Sequence, residues 1–430
     1  MALLMLLTPI AGKAAEGRTL VVPPRGHTFG VHRVTARELA VFLPGTQLGE
    51  PSGIAVTRLV ATDDPATTGD DDEVTLVALD QENGVLLSNL GLLKVGQWDG
   101  SGGSLGGLLR PTDVAIDRAG TIAITDTGNR RIVLLQHHGD RMEEVAALPG
   151  FLEPTGITAD GRGGFFVCDR RFQAVFHVDP ATGKRTTFGL EVGFERPIDV
   201  ATVPSGDRLA NGKKRPVVIV DQDGLRLRVF DPAGALKATR LASSLSVADA
   251  RFDAVDVDYY GNIFAVDRAG NRVHKFRDDL YVLDTLGGED DPLGFRAPRG
   301  IAIHRRLGQV FIAEESGGTY VWIGADVVKL RVTEAAGAAA FDYVLTEDSL
   351  VNARVLDPQG RPQAELLTEV HQAAGPQSGR WDGTNAQGKR LPAGEYLVEL
   401  RARATYASKS SNERRLLRAF TLRNRGPGSE

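Results

Sequence analysis

One supersecondary unit recurs six times in this 430-residue sequence, and no other feature constrains the fold as strongly. The units begin near residues 51, 111, 154, 197, 252 and 298. Each unit holds three short runs rich in Val, Ile and Phe, separated by turn signals, and a fourth run follows, for example residues 144–148. Four strands in about 43 residues, repeated along the chain, are typical of a β-propeller blade. The sequence therefore predicts an all-β fold with a six-bladed propeller.

Two observations favour a closed ring of antiparallel blades. The stretches between the apolar runs contain no helical segment long enough for the crossovers that a parallel sheet needs. Residues 38–45, followed by Glu50-Pro51, also echo residues 144–150, followed by Glu153-Pro154, which form the predicted outer strand leading into the third unit. We therefore expect the N-terminal segment to supply an outer strand that completes the last blade and removes its open edge.

The residue pattern of the units points to a known repeat. The pattern is P-x-[G/D]-[I/V]-A-[V/I]-D, then G-x-[I/F]-x-V-x-D, then an N-R-[I/V] turn. The clearest copies are RPTDVAIDRAGTIAITDTGNRRIVLL from Arg110 and FDAVDVDYYGNIFAVDRAGNRVHKF from Phe252. Over about residues 35 to 325 the sequence resembles the NHL-repeat family. The resemblance implies a six-bladed propeller in which the first strand of each blade lines a central channel.

A different pattern begins after about Gly324, where the repeat stops and polar and apolar residues alternate. About seven strands in roughly 100 residues are the count of a β-sandwich. The run WDGTNAQGKRLPAGEYLVEL from Trp381 resembles the immunoglobulin-like domain of the flagellar hook-capping protein family, which recurs at the C-termini of exported bacterial proteins. The resemblance implies that Trp381 and Tyr396 anchor the core and that Asp382-Gly383 forms a tight turn, with no chemistry there.

These patterns predict a signal peptide at residues 1–15, a propeller at 16–325, an immunoglobulin-like β-sandwich at 326–425 and a tail at 426–430. The run from Met1 to Gly12 is apolar and too short to span a bilayer, and Gly12 and Ala14 have the spacing that signal peptidase accepts. Because no Lys or Arg precedes the run, a mis-assigned start or a hydrophobic tail packed on the domain stays an alternative. We expect export, to the periplasm, the cell surface or the medium.

An acidic residue ends the second strand of every unit. An Asp in this position accepts N–H bonds from the following turn, and an Arg five residues later can pair with it. The acids are Asp80, Asp126, Asp169, Asp221, Asp267 and Glu314, and the arginines are Arg131, Arg226 and Arg272. Because catalytic groups break a repeat whereas scaffolding groups follow it, we expect these residues to brace turns.

One departure from the repeat marks a candidate binding site. Five units place a small residue at one position of the first strand, and the fifth unit places Asp256 there. An acid in such a position is costly unless it is paired, hydrated or metal-bound. Together with Asp113, Asp199 and Asp253 it predicts an acidic channel mouth. Hydrogen bonding of these acids to neighbouring blades is the alternative.

Two insertions interrupt the connection between first and second strands, in units one and four. The first is acidic and offers Asp63, Asp64, Asp70, Asp71 and Asp72 as candidate cation ligands, and the second, residues 207–215, is basic. Oxygen ligands suit Ca²⁺, although the spacing differs from that of a twelve-residue calcium loop. The repeat places the insertions opposite each other on one rim, where they would orient a partner or be solvated. No cofactor is expected, with a divalent metal such as calcium as the alternative.

Composition excludes several classes of function. The formal net charge of −5 and the mixed charges argue against a nucleic-acid partner. A single Cys excludes a disulfide framework and any multi-thiolate metal site. No apolar run of transmembrane length follows the N-terminus, so we expect no transmembrane span. The eight His residues are scattered, and neither an H-E-x-x-H motif nor a phosphate loop occurs.

Two functions are compatible with these observations. We favour an exported, non-catalytic binding or scaffold protein, whose propeller presents a rim or channel mouth to a protein, peptide or glycan, with the sandwich as spacer or attachment module. The alternative is a metal-dependent propeller enzyme, a lyase or a lactonase-like hydrolase, with an acidic channel site. Such an enzyme needs several ligands converging on one ion.

Overall fold

The chain is described here from a computed structural model. The described residues are 19–22, 33–37, 41, 43, 45, 47–63, 74–90, 94–138, 141–204, 215–288, 291, 294–315, 317–335, 337–405, 408 and 412–423. Two short strands, β1 (Leu20–Val21) and β2 (Arg33–Thr35), precede the repeats. The predicted signal peptide at 1–15 lies outside the described residues, and so does the tail at 426–430.

The first three repeats form three antiparallel four-stranded sheets. Blade 1 contains β3 (Pro51–Arg58), β4 (Val74–Asp80), β5 (Val85–Leu90) and β6 (Lys94–Trp98). Blade 2 contains β7 (Val114–Ile116), β8 (Thr121–Asp126), β9 (Arg131–His137) and β10 (Met142–Pro149), with a 3₁₀ turn at Thr127–Asn129. Blade 3 contains β11 (Pro154–Ala159), β12 (Phe165–Asp169), β13 (Ala174–Val178) and β14 (Arg185–Phe188).

The last three repeats form sheets of the same order. Blade 4 contains β15 (Asp199–Thr202), β16 (Val217–Asp221), β17 (Arg226–Phe230) and β18 (Leu236–Leu241), followed by a 3₁₀ turn at Ala242–Ser244. Blade 5 contains β19 (Ala254–Val257), β20 (Ile263–Asp267), β21 (Arg272–Phe276) and β22 (Val282–Gly287). Blade 6 contains β23 (Gly300–His304), β24 (Gln309–Glu314) and β25 (Gly317–Ile323).

The six blades form a closed ring through their first strands. Each first strand contacts the first strand of the next blade, in the order β3, β7, β11, β15, β19 and β23, and β23 contacts β3 again. Because both faces of a blade lie against neighbouring blades, the inner strands are apolar on both faces. Val218 and Val220 of blade 4, for example, share one buried cluster with Val255 and Ile263 of blade 5. The predicted all-β, six-bladed propeller is confirmed.

The N-terminal segment contributes a strand to blade 6. Strand β2 pairs antiparallel with β25, with Val34 opposite Gly318. Gly317 has a φ of +147°, and a Cβ there would lie 1.9 Å from the carbonyl oxygen of Val34, so a side chain is excluded at this junction. The echoed segment 38–45 is only partly described, and its pairing stays a prediction.

The C-terminal residues form a two-sheet sandwich. Its seven strands are β26 (Val327–Ala335), β27 (Ala338–Leu345), β28 (Ser349–Leu356), β29 (Pro362–Gln372), β30 (Gly375–Trp381), β31 (Gly394–Ala404) and β32 (Glu413–Leu422). One sheet has the order β26-β27-β30 and the other β29-β28-β31-β32. Trp381 and Tyr396 are buried in the core, with ring centroids 5.9 Å apart. The predicted immunoglobulin-like β-sandwich is confirmed.

The propeller and the sandwich are two compact units. The propeller unit ends at Ile323 and the second unit begins at Gly324. Among the described residues there is no helix with the length and hydrophobicity that crossing a membrane requires.

Candidate functional site

A cavity of about 630 Å³ lies among the first strands of all six blades. Its wall is built at the fifth position of each repeat unit, within the first strand, where the repeat places small side chains and one acid. These residues are Ala55, Ala115, Thr158, Ala201, Asp256 and Ala302. The space therefore exists because the sequence keeps this position small in five of the six blades.

Three acids lining this cavity connect neighbouring blades, and we call Asp113, Asp199 and Asp256 the channel carboxylates. Asp113 accepts the N–H of Ile157 in the next blade at 2.8 Å. Asp199 accepts the N–H of Val255 at 2.7 Å, and Asp256 accepts the N–H of Ile303 at 2.7 Å. A hydrogen bond within a protein contributes about 0.5–1.5 kcal/mol net. The channel carboxylates therefore fasten blade 2 to 3, blade 4 to 5 and blade 5 to 6.

Glycines admit two of these acids between the closely spaced strands. Gly53 of blade 1 lies against Asp113 of blade 2, and Gly156 of blade 3 lies against Asp199 of blade 4. A Cβ on either glycine would lie 2.4 Å from the Cα of the following Asp. Neither glycine has a positive φ, so the requirement is for space rather than for backbone conformation. Glycine and aspartate thus occupy the third position of the repeat unit in neighbouring blades, and the glycine leaves room for the aspartate.

Burial in the cavity raises the pKa of the three channel carboxylates. Burial raises the pKa of Asp113 to about 7, although the N–H groups of Ile157 and Val114 favour its ionised form. Burial, followed by the charge of Asp113, raises the pKa of Asp199 well above its ordinary value. Burial also raises the pKa of Asp256, against the opposing charge of Arg305.

Asp113 should make the stability of the protein decrease between about pH 4 and pH 7. An unfolded chain releases this proton near pH 4, whereas the folded protein holds it to about pH 7. The folded state binds more protons in this interval, so the free energy of unfolding falls as the pH rises. We expect Asp113→Asn to reduce the fall in Tm between pH 5 and pH 7.5. An unchanged fall would contradict this assignment, and Asp99→Asn, at an exposed turn, is the control.

All four predicted mouth residues line the first cavity, but their contacts differ. Asp256 lies two positions farther along its strand than Asp113 and Asp199, and its Oδ1 receives Arg305 at 2.6 Å. Asp253 also lines a second cavity, of about 990 Å³, and accepts the backbone N–H of Arg268 at 2.8 Å. Asp113, Asp199 and Asp256 thus accept N–H groups of a neighbouring blade, whereas Asp253 accepts one from its own blade.

Four arginines that the sequence analysis did not single out surround one end of the first cavity. We call them the arginine mouth: Arg58, Arg118, Arg305 and Arg306. The first three occupy the same repeat position, seven residues after the proline that opens each unit, in the consecutive blades 1, 2 and 6. Extending the seven-residue pattern of the first strand by one position would have revealed these three arginines.

Asp63 lies at the centre of the arginine mouth. Its carboxylate is 2.8 Å from Nε of Arg58, 2.8 Å from Nη2 of Arg118 and 4.0 Å from Nη1 of Arg306. Asp63 therefore bridges blades 1, 2 and 6. The other predicted cation ligands, Asp64, Asp70, Asp71 and Asp72, lie outside the described residues, as do residues 207–214 of the basic insertion. Among the residues that the structure describes, no group of three or more His, Cys, Asp or Glu side chains is placed to hold a metal ion.

In blades 1 to 4, the acid that ends the second strand clamps the segment before the first strand of its own blade. Asp80 accepts the N–H of Gly49 at 2.7 Å. The same bond joins Asp126 to Leu109 at 2.8 Å, Asp169 to Leu152 at 2.7 Å and Asp221 to Glu195 at 2.9 Å. Asp267 accepts the N–H of Gly270 at 2.9 Å, and Glu314 accepts the hydroxyl of Thr319 at 2.9 Å. The repeated acid thus fixes where blades 1 to 4 begin.

The arginines five residues later differ in their distance from these acids. Arg131 pairs with Asp126 at 2.7 Å, and Arg226 pairs with Asp221 at 2.7 Å. Arg272 stays 4.0 Å from Asp267. The first two pairs neutralise a carboxylate that is completely buried.

Fold and site together define a β-propeller protein with a lined central cavity and a C-terminal immunoglobulin-like domain. Residues 325–405 match the FlgD Ig-like domain family. This match confirms the resemblance of the C-terminal domain to the hook-capping family. No curated protein sequence matches the chain.

Several solved structures are similar to this chain. Virginiamycin B lyase from Staphylococcus aureus shows 10% identity over 78% of this chain and 96% of that one, with a TM-score of 0.43. A putative gluconolactonase shows 12% identity over 68% and 97%, with a TM-score of 0.44. PorZ, a surface component of the type-IX secretion system of Porphyromonas gingivalis, shows 14% identity over 85% and 61%, with a TM-score of 0.40. The assignment of the propeller rests on its six sheets.

Proposed function

We propose that this chain is a non-catalytic binding or scaffold protein, whose propeller presents its channel mouth and rim to a partner. The supporting observation is the use of the channel carboxylates. Each accepts the backbone N–H of the next blade, and Asp256 is in addition paired with Arg305. Oxygens that hold the ring together would have to leave these partners to ligate an ion, at a cost in stability.

The partner that we propose is a protein, a peptide or a glycan, bound on the face that carries the arginine mouth. That face presents guanidinium groups beside a cavity with small side chains, and Arg side chains are enriched where proteins recognise other molecules. The sandwich would serve as a spacer or attachment module, since its buried aromatic cluster of Trp381, Tyr396 and Phe420 is used for packing. The NHL-type pattern of the repeats is part of this proposal.

Export is also part of the proposal. It is supported by the apolar run from Met1 to Gly12 and by the match to the FlgD Ig-like domain family. Expression of the full chain in a bacterial host, followed by mass spectrometry of the mature N-terminus, tests it. Cleavage next to Ala14 in a periplasmic or secreted fraction supports export, and an intact N-terminus in the cytoplasm contradicts it.

Metal analysis of the purified protein separates this function from a metal-dependent propeller enzyme. We expect less than stoichiometric metal after purification in the presence of Ca²⁺, and the same low content in Asp256→Ala. Stoichiometric metal that is lost in Asp256→Ala, with the circular dichroism spectrum unchanged, would contradict the proposal and favour the enzyme. Asp231→Ala, in an exposed turn of blade 4, is the matched control.

A further inference from the structure

We infer that the arginine mouth binds an oxyanion group of the partner, a carboxylate or a phosphate, and that the part of the partner next to this group enters the cavity. This inference rests on the proposed function, because it names the ligand class of the same channel mouth. A planar guanidinium matches the geometry of both anionic groups.

The first argument is the donor capacity of Arg118 and Arg305. Arg118 is 44% exposed, and donates to Asp63 and to the carbonyl of Arg58. Arg305 donates through Nη2 to Asp256 and to the carbonyl of Thr202, while its buried Nε has no hydrogen-bond partner among the described residues. A guanidinium carries five N–H donors, so both side chains retain donors, and those of the more exposed Arg118 are open to an incoming oxyanion.

The second argument is Asp63, which occupies the position that an external anion would take. One carboxylate there lies against guanidinium groups of Arg58, Arg118 and Arg306. Two further carboxylates that line the cavity have contacts of their own: Asp117 accepts the N–H of Thr121, and Asp256 pairs with Arg305. The Asp63 carboxylate thus shows how an oxyanion of the ligand would contact these arginines. It also competes with the ligand for them.

The third argument is the cavity itself. Its volume of about 630 Å³ lies within the range of small-molecule sites, about 300–1,000 Å³. Next to the charged mouth, its wall consists of Ala55, Ala115, Ala201 and Ala302. A ligand with an anionic group at the arginines and a compact, weakly polar body along these alanine side chains would fill both the mouth and the cavity.

Calorimetric titration of the full chain with citrate and with inorganic phosphate, at low ionic strength, tests the inference. We expect one-to-one binding of at least one anion, weakened by 0.5 M NaCl, and no binding of glucose. Binding of phosphate alone assigns a phosphate-bearing ligand, binding of citrate alone assigns a carboxylate, and either result supports the site.

Three variants locate the binding. Arg118→Gln should weaken it about tenfold, and Arg171→Gln, at an exposed arginine in a turn of blade 3, should leave it unchanged. Asp63→Asn should strengthen it severalfold, because it removes the competing carboxylate. If Asp63 served only to stabilise the fold, removal of its charge would not increase the affinity for the anion.

Absence of binding for both anions in wild type and Asp63→Asn, or unchanged affinity in Arg118→Gln, would overturn the inference. Such a failure leaves the metal analysis unaffected, so it is distinguishable from a failure of the proposed function.

Discussion

Replacing Asp221 by Ala is expected to lower the free energy of unfolding by about 3–5 kcal/mol. The Asp221 side chain is completely buried and accepts the N–H of Glu195 at 2.9 Å. It also pairs with Arg226 at 2.7 Å and with Arg228 at 3.4 Å. Burial already lowers the pKa of Arg228, so removal of the carboxylate leaves a desolvated cation without its counter-charge.

Thermal unfolding of the full chain, followed by calorimetry, measures this effect. Asp231→Ala is the matched control in the same blade, because Asp231 is 30% exposed and pairs with Lys237, which is 56% exposed. We expect the control to lose much less stability. Equal losses in the two variants would show that the buried acid is not a brace.

Gly156→Ala is expected to cost about 3 kcal/mol or to prevent folding. The added Cβ would lie 2.4 Å from the Cα of Asp199, which is a backbone atom of the neighbouring blade. Since the obstacle is backbone, no rotamer change relieves it, and blades 3 and 4 would have to separate.

The same substitution at Gly107 tests whether the loss comes from this contact. A Cβ there would meet its nearest neighbour, the carbonyl oxygen of Asp99, at 3.4 Å, an ordinary contact distance. We expect Gly107→Ala to change the Tm little. Wild-type stability of Gly156→Ala would mean that the first strands are less tightly packed than described.

The parts of the fold that follow from periodicity could be predicted from the sequence. Repeated runs of Val, Ile and Phe with turns between them require stacked four-stranded sheets, so the six blades and their order could be predicted. The sandwich could be predicted for the same reason, and Trp381 and Tyr396 lie in its core. These features depend on local patterns that recur.

The roles of the acids depend on contacts between blades, which the pattern of one blade does not contain. Asp113 and Asp199 were predicted as mouth residues, and their partners are backbone N–H groups of Ile157 and Val255. The arginine mouth was missed because the repeat pattern for the first strand ends at the seventh position of the unit, one residue before Arg58, Arg118 and Arg305. Asp63, considered as a cation ligand, instead faces arginines.

Hydrogen exchange at the amide of Val255, compared between wild type and Asp199→Ala, tests most directly that the channel carboxylates join the blades. In the structure this amide donates to Asp199 Oδ2 at 2.7 Å. We predict exchange at least tenfold faster in Asp199→Ala, with Asp231→Ala unchanged. Equal protection of Val255 in wild type and Asp199→Ala would contradict the account.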